Sequence, residues 1–188
     1  MKIDSFSVSL NFYFDSLEDE DGNLTSDSIL ILEATVWVNG KAINPSRDTP
    51  IISLTNLYAS QFLQGEFFIL NCSCGEPLCA GISDGVEISE KDDQIKWKFS
   101  NEYKKHLKSY GFGPNDKGNV IFRFDRESYL TEVRRTMNLV EALVRSEIQF
   151  TFNESELNDS PKFKEQLGLH HEFLSDGHKG HTKYLTLD

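Results

Sequence analysis

Along residues 6–14, FSVSLNFYF, apolar and polar positions alternate. Phe6, Val8, Leu10, Phe12 and Phe14 fall on one side and, Tyr13 apart, smaller or polar residues fall on the other. A period of two is the pattern of a half-buried strand. Residues 29–38, ILILEATVWV, are β-branched and apolar and predict a second strand. Asn39-Gly40 behind them is the favoured pair for a type I′ hairpin turn. Lys41 to Ile43 starts the return strand, and Pro45 limits it. Between the first two strands, residues 15–28, DSLEDEDGNLTSDS, hold six acids and no base and read as a solvated loop.

The period then changes. Leu54, Leu57, Tyr58, Phe62 and Leu63 lie on one face of a short helix over 53–63, with Ser53 as its N-cap and Gly65 at its end. The apolar run FFILNC, residues 67–72, predicts a buried strand. Short strands follow at 86–88 and 95–99, where Ile95, Trp97 and Phe99 alternate with Lys96 and Lys98, and Asp92-Asp93 turns between them. Residues 109–118 read as a loop and 120–124 as another strand. Leu130, Val133, Met137, Val140 and Val144 recur at intervals of three and four. That spacing predicts an amphipathic helix over roughly 126–146, N-capped by Asp125. Residues 148–152 alternate as a last strand, and 153–188 form a polar, weakly patterned tail. The order predicts a single α+β domain over residues 1–188. It is a mostly antiparallel sheet with a long helix in the C-terminal half and one short helix packed on it. The long helix should turn its apolar face to Val8, Leu10 and Phe12.

Composition agrees with a self-sufficient core. Hydrophobic residues make up 38% of the chain, and 14 phenylalanines supply large apolar side chains. The N-terminus MKIDSFSVSL lacks a signal-peptide run. No stretch approaches the ~20 apolar residues that span a bilayer. The three cysteines, Cys72, Cys74 and Cys79, are odd in number and close together, which is not a disulfide framework. A reducing cytoplasm is the expected compartment.

Charge is unevenly placed. The net charge is −11, but residues 1–94 carry 16 acids against 4 bases, and residues 95–188 carry 14 against 15. An acidic half repels nucleic acid, which is bound by clustered Lys and Arg. It attracts a basic protein partner or cations; the plainer reading of the same charge is solubility. Two groups are the candidate partner contacts: Asp15, Glu18, Asp19, Glu20 and Asp21; and Glu76, Asp84, Glu87, Glu90, Asp92 and Asp93.

Motifs for catalysis are missing. The chain has no Gly-rich phosphate loop, nucleophile elbow, HExxH or kinase signature, and no catalytic residue is assigned. Asp19-Glu20-Asp21-Gly22-Asn23 resembles a calcium loop, but that loop needs Gly at its sixth position and Glu at its twelfth. Leu24 and Leu30 stand there. Residues 72–81, CSCGEPLCAG, leave three readings open. Cys72, Cys74 and Cys79 can give zinc three thiolates, with a tail histidine as the fourth ligand, although Cys-x-Cys departs from the usual spacing. Cys74 and Cys79 can form a redox pair, but Glu76, Asp84 and Glu87 nearby would keep the thiols protonated. The third reading is a structural turn, in which cysteines pack as small hydrophobes. The tail histidines His170, His171, His178 and His181 match no established metal spacing and read as solvated.

One segment carries a resemblance. FFILNCSCGEPLCAGISDGVEI followed by IKWKF is similar to a group of uncharacterised bacterial proteins. They share an apolar strand running into Cys-x-Cys-Gly-x3-Cys-Ala-Gly, then a Val-containing strand and a Trp strand. The resemblance covers residues 67–99. It implies a small immunity-type or accessory protein of a bacterial toxin system. It also implies that Cys72, Cys74, Gly75, Cys79, Ala80 and Gly81 form a structural signature, and it implies no catalytic residue. Together with the charge, it leads to the expectation of a non-enzymatic inhibitor, an immunity protein for a basic toxin. The alternative is a small zinc-binding or redox protein using the cysteine segment.

Overall fold

The computed structural model describes residues 2–18, 24–45, 50–71, 84–115, 118–144, 151–152, 170–172 and 183–186. Two long strands lead the chain, β1 (Phe6–Glu18) and β2 (Leu24–Val38), paired antiparallel from Phe6↔Val38 outward. The acidic stretch 15–28 is therefore not all loop. Asp15 pairs with Ile29 and Ser16 with Ser28 before the register shifts ahead of Glu18. Each added residue pair extends an existing ladder, and cross-strand pairing outweighs the loop-like composition here. Asn39 and Gly40 both take positive φ, 51° and 74°, as the predicted turn requires, and β3 (Lys41–Ala42) returns beside β2.

β4 (Ile51–Ile52) pairs with β6 (Leu70–Asn71), and α1 (Leu54–Ala59) lies between them in sequence. Ser53 caps α1 as expected: its Oγ accepts from Asn56 N–H at 3.1 Å. The helix stops at Ser60 rather than running to 63. Ser60 Oγ bonds back to the Leu57 carbonyl at 2.6 Å and meets the Tyr129 hydroxyl at 2.6 Å, and Phe62 and Leu63 lie exposed beyond. Gly65, at φ 141°, opens β5 (Gly65–Phe67) instead of ending the helix. The expected strand 67–72 is split between β5 and β6. Phe68 leaves the ladder and donates its N–H to Asn56 Oδ1 at 3.2 Å. Cys72 lies outside the described residues.

The second sheet is β5–β7–β8–β9, antiparallel throughout, with β7 (Val86–Lys91), β8 (Gln94–Phe99) and β9 (Val120–Asp125). A helix that the apolar pattern did not announce, α2 (Asn101–Ser109), connects β8 to the predicted loop before β9. Tyr103 and Leu107, four residues apart, are its buried contacts, too few to show a period. The long helix α3 (Arg126–Val144) follows, and Asp125 Oδ1 accepts from Ser128 N–H at 2.8 Å as the expected N-cap. Leu130, Val133, Met137 and Val140 are buried, as is Val8, and Leu10 packs against the same core. The side chains of Phe12 and Val144 lie outside the described residues. Three short strands complete the first sheet, β10 (Thr151–Phe152), β11 (His170–Glu172) and β12 (Lys183–Thr186). Its order is β1–β2–β10–β12–β11. The expected tail thus contributes two strands, which pair with each other and with β10. The architecture is α+β, with antiparallel pairing dominant and two shorter helices beside the long one rather than a single one.

Aromatic rings knit the two sheets together. Trp97, fully buried on β8, meets Phe6 of β1 at 5.7 Å, Phe124 of β9 at 5.4 Å and Tyr129 of α3 at 5.9 Å between ring centres. Edge-on contacts at these distances add to the apolar area removed from water.

Several strand edges are closed by side chains instead of strands. On β2, the Asn44 amide accepts from Val36 N–H at 3.1 Å and donates to the Ala34 carbonyl at 3.0 Å. On β9, the Asn115 amide does the same for both backbone groups of Ile121, and Asp4 accepts from Arg123 N–H at 2.9 Å. The other carboxyl oxygen of Asp4 takes Asn39 Nδ2 at 2.8 Å, which ties the first hairpin to the second sheet. On β1, Val8 N–H donates to Glu132 Oε1 at 2.7 Å and its carbonyl accepts from Arg135 at 2.6 Å. Burial opposes ionisation of Glu132, but the Arg135 guanidinium and the Val8 N–H outweigh it and hold the carboxyl below its ordinary 4.5. The unfolded chain takes up that proton first as the solution is acidified. The stabilisation is therefore fully present above about pH 4.5 and is lost as pH falls through the folded value. Glu132→Gln should cost about 0.5–1.5 kcal/mol near neutral pH, because the amide oxygen can still accept from Val8 N–H while the charge-assisted bonds from Arg135 are weakened. Urea midpoints of both proteins should converge in acid; a gap that stays constant to about pH 3 would contradict this linkage.

Candidate functional site

The outer face of the second sheet sorts its charges by register. β5 sets Glu66 beside Glu87 on β7, and β7 sets Glu87 beside Lys98 on β8. Two acids directly across a ladder repel. Here each has its own donor. Glu66 Oε1 accepts from Gly85 N–H, and Glu87 Oε2 pairs with Lys98 Nζ, both at 2.5 Å. The hydrogen bond from Lys98, against a smaller opposing effect of burial, holds the Glu87 carboxyl below the usual carboxylate range. Gly85 permits this approach. A Cβ there would lie 2.6 Å from the Glu66 side chain and 2.9 Å from the Phe67 backbone.

These residues line an open cleft of about 460 Å³, bounded by Glu66, Asp84, Glu87, Lys98, Ser100 and Asn119, with Gly85, Phe99 and Asn101. Glu66, Asp84 and Glu87 stand against Lys98 in the lining and Lys104 beside it, so acid exceeds base by one. Lys104 closes one side by bridging Asn101 Oδ1 at 2.6 Å and Asn119 Oδ1 at 3.1 Å. Such a wall offers acceptors for ammonium, guanidinium or amide donors. Among the described residues no group of three His, Cys, Asp or Glu could hold a metal ion.

The predicted acidic contacts do not form one patch. Asp84 and Glu87 reach the cleft. Glu90, Asp92 and Asp93 sit at the other end of β7, at the hairpin turn, where both aspartates take positive φ, 53° and 56°. There Arg126 bonds Glu90 at 2.8 Å and donates its backbone N–H to the Asp93 carbonyl at 3.0 Å, so part of this charge is matched. Asp15 and Glu18 belong to β1 in the other sheet. Asp19, Glu20, Asp21 and Glu76 lie outside the described residues, as do Cys72, Cys74, Cys79, His178 and His181. His170 and His171 fall in β11. The reading of the sequence missed Glu66, Lys98 and Asn119. A signal for Lys98 was present: a two-residue turn at Asp92-Asp93 sets Lys91 against Gln94 and, counting back, Glu87 against Lys98. No local signal joins Glu66 or Asn119 to them.

Comparison with family models, with curated proteins and with solved structures gave no match. No helix of the described residues is long and apolar enough to cross a membrane.

Proposed function

We propose that this chain is a cytoplasmic, non-enzymatic binding protein that inhibits a basic protein partner, an immunity protein that neutralises a bacterial toxin. The observation that carries the reading is the excess of acid in residues 1–94, 16 against 4 bases. The ion pairs of Glu87 and Glu90 draw their cations, Lys98 and Arg126, from the other half. Complementary charge speeds encounter and rejects wrong partners, which is what an inhibitor of a basic protein needs. The acidic cleft beside Asp84 adds acceptors on the same half.

The test is capture of the partner from the native host on immobilised full-length protein, with identification by mass spectrometry. One basic protein, encoded beside this gene and inactivated by stoichiometric addition of the chain, is the expected result. A partner of neutral or acidic character, or one whose activity is unchanged, would overturn the reading.

A further inference from the structure

β1 is the terminal strand of its sheet, and among the described residues its outer edge is closed by side chains at Val8. Val8 directs both backbone groups away from β2 into Glu132 and Arg135, and its partner Val36 likewise turns away, toward Asn44 and Ile43. Outward groups recur at every second residue of an antiparallel strand. Register with β2 runs unbroken from Phe6 to Ser16, so Leu10, Phe12 and Phe14 present their N–H and C=O on the same edge as Val8. Among the described residues none closes the outward groups of Leu10.

The helix beside this edge changes character at the same place. Glu132 and Arg135 do the closing. Leu139 follows four residues after Arg135 on the same helical face, and it is 42% exposed. Farther along, β1 carries Asp15 and Glu18. An open ladder, an exposed apolar side chain and acids toward the far end occur in that order.

We propose that the outer edge of β1, from Leu10 onward, receives an extended segment of the basic partner as an added strand. The backbone of the incoming segment bonds the outward groups of Leu10, Phe12 and Phe14. An apolar side chain of that segment rests on Leu139, and its Lys or Arg residues lie toward the end of β1 that carries Asp15 and Glu18. This inference rests on the proposed basic partner and names how that partner is held.

The probe is a synthetic ten-residue peptide alternating valine and lysine, used with full-length protein. Its controls are the same peptide with glutamate for lysine, and a copy N-methylated on alternate amides so that one edge cannot donate. Leu10→Pro leaves the β1–β2 ladder intact, because the Leu10 N–H points out of it. The valine–lysine peptide should bind wild type and slow hydrogen exchange at Leu10 and Phe12. N-methylation should weaken it at least tenfold, and so should Leu10→Pro; the N-methylated peptide serves alone if the variant does not fold. Equal binding of the N-methylated peptide, no binding, or protection at another strand would overturn the assignment. So would a dimer of the chain that Leu10→Pro abolishes, since the edge would then serve a second copy. If the edge assignment fails while the captured partner is basic and inhibited, the proposed function stands. If the partner is not basic, that function fails whatever the peptide does.

Discussion

Replacing Val140 with aspartate should abolish cooperative folding. Val140 is fully buried on the face of α3 that also buries Val133 and Met137. A carboxylate there would sit within the buried hydrophobic cluster, and an unpaired buried charge costs several kcal/mol or is protonated at a similar cost. Whole domains are stable by only about 5–15 kcal/mol, so one such change consumes a large share. The expected protein is insoluble or melts without a sharp transition. A soluble Val140→Asp protein with a cooperative melt would show that α3 does not face the core.

The second large effect is expected at Trp97. Its ring joins the first sheet, the second sheet and α3 through Phe6, Phe124 and Tyr129. Truncation to alanine removes the centre of that cluster and leaves a cavity that three separate elements would have to collapse to fill. Large aromatic truncations in cores cost about 3–5 kcal/mol, and this site belongs at the upper end because its walls come from different layers. Leu139→Ala on the exposed side of α3 is the contrasting change, expected within about 0.5 kcal/mol of wild type. Chemical denaturation of the three proteins checks both; a Trp97→Ala protein as stable as Leu139→Ala would contradict the role given to the cluster.

Periodicity made α3 readable, because five apolar residues repeat along nineteen helical positions. It also showed the Asn39-Gly40 and Asp92-Asp93 hairpins, whose turn chemistry is local. α2 escaped because two buried residues, Tyr103 and Leu107, establish no period, and four lysines and histidines among its nine residues look like loop. The extension of β1 and β2 through acidic sequence escaped because strand pairing is a property of two segments, whereas composition describes one. The same reason hid the cleft. Glu66, Glu87 and Lys98 become neighbours only through two registers, and Asn119 only through the return of β9. The side-chain closure of β1 by Glu132 and Arg135 joins residues more than a hundred positions apart, which no spacing rule reaches.

The most direct measurement of the central proposal is the association rate of the captured partner at two salt concentrations. Wild type is compared with two variants: one with Asp15, Glu18, Asp19, Glu20 and Asp21 changed to Asn and Gln, the other with Glu76, Asp84, Glu87, Glu90, Asp92 and Asp93 so changed. Charges at the rim of an interface steer encounter, so their loss should lower the association rate more than it raises the dissociation rate. Raising salt from 0.1 M to 1 M shortens the screening length from about 10 Å to about 3 Å and should slow wild type toward the variants. The expected result is slower, less salt-sensitive association in at least one variant. If both variants associate as fast as wild type at low salt, the acidic half serves solvation alone and the proposed inhibition of a basic partner is contradicted.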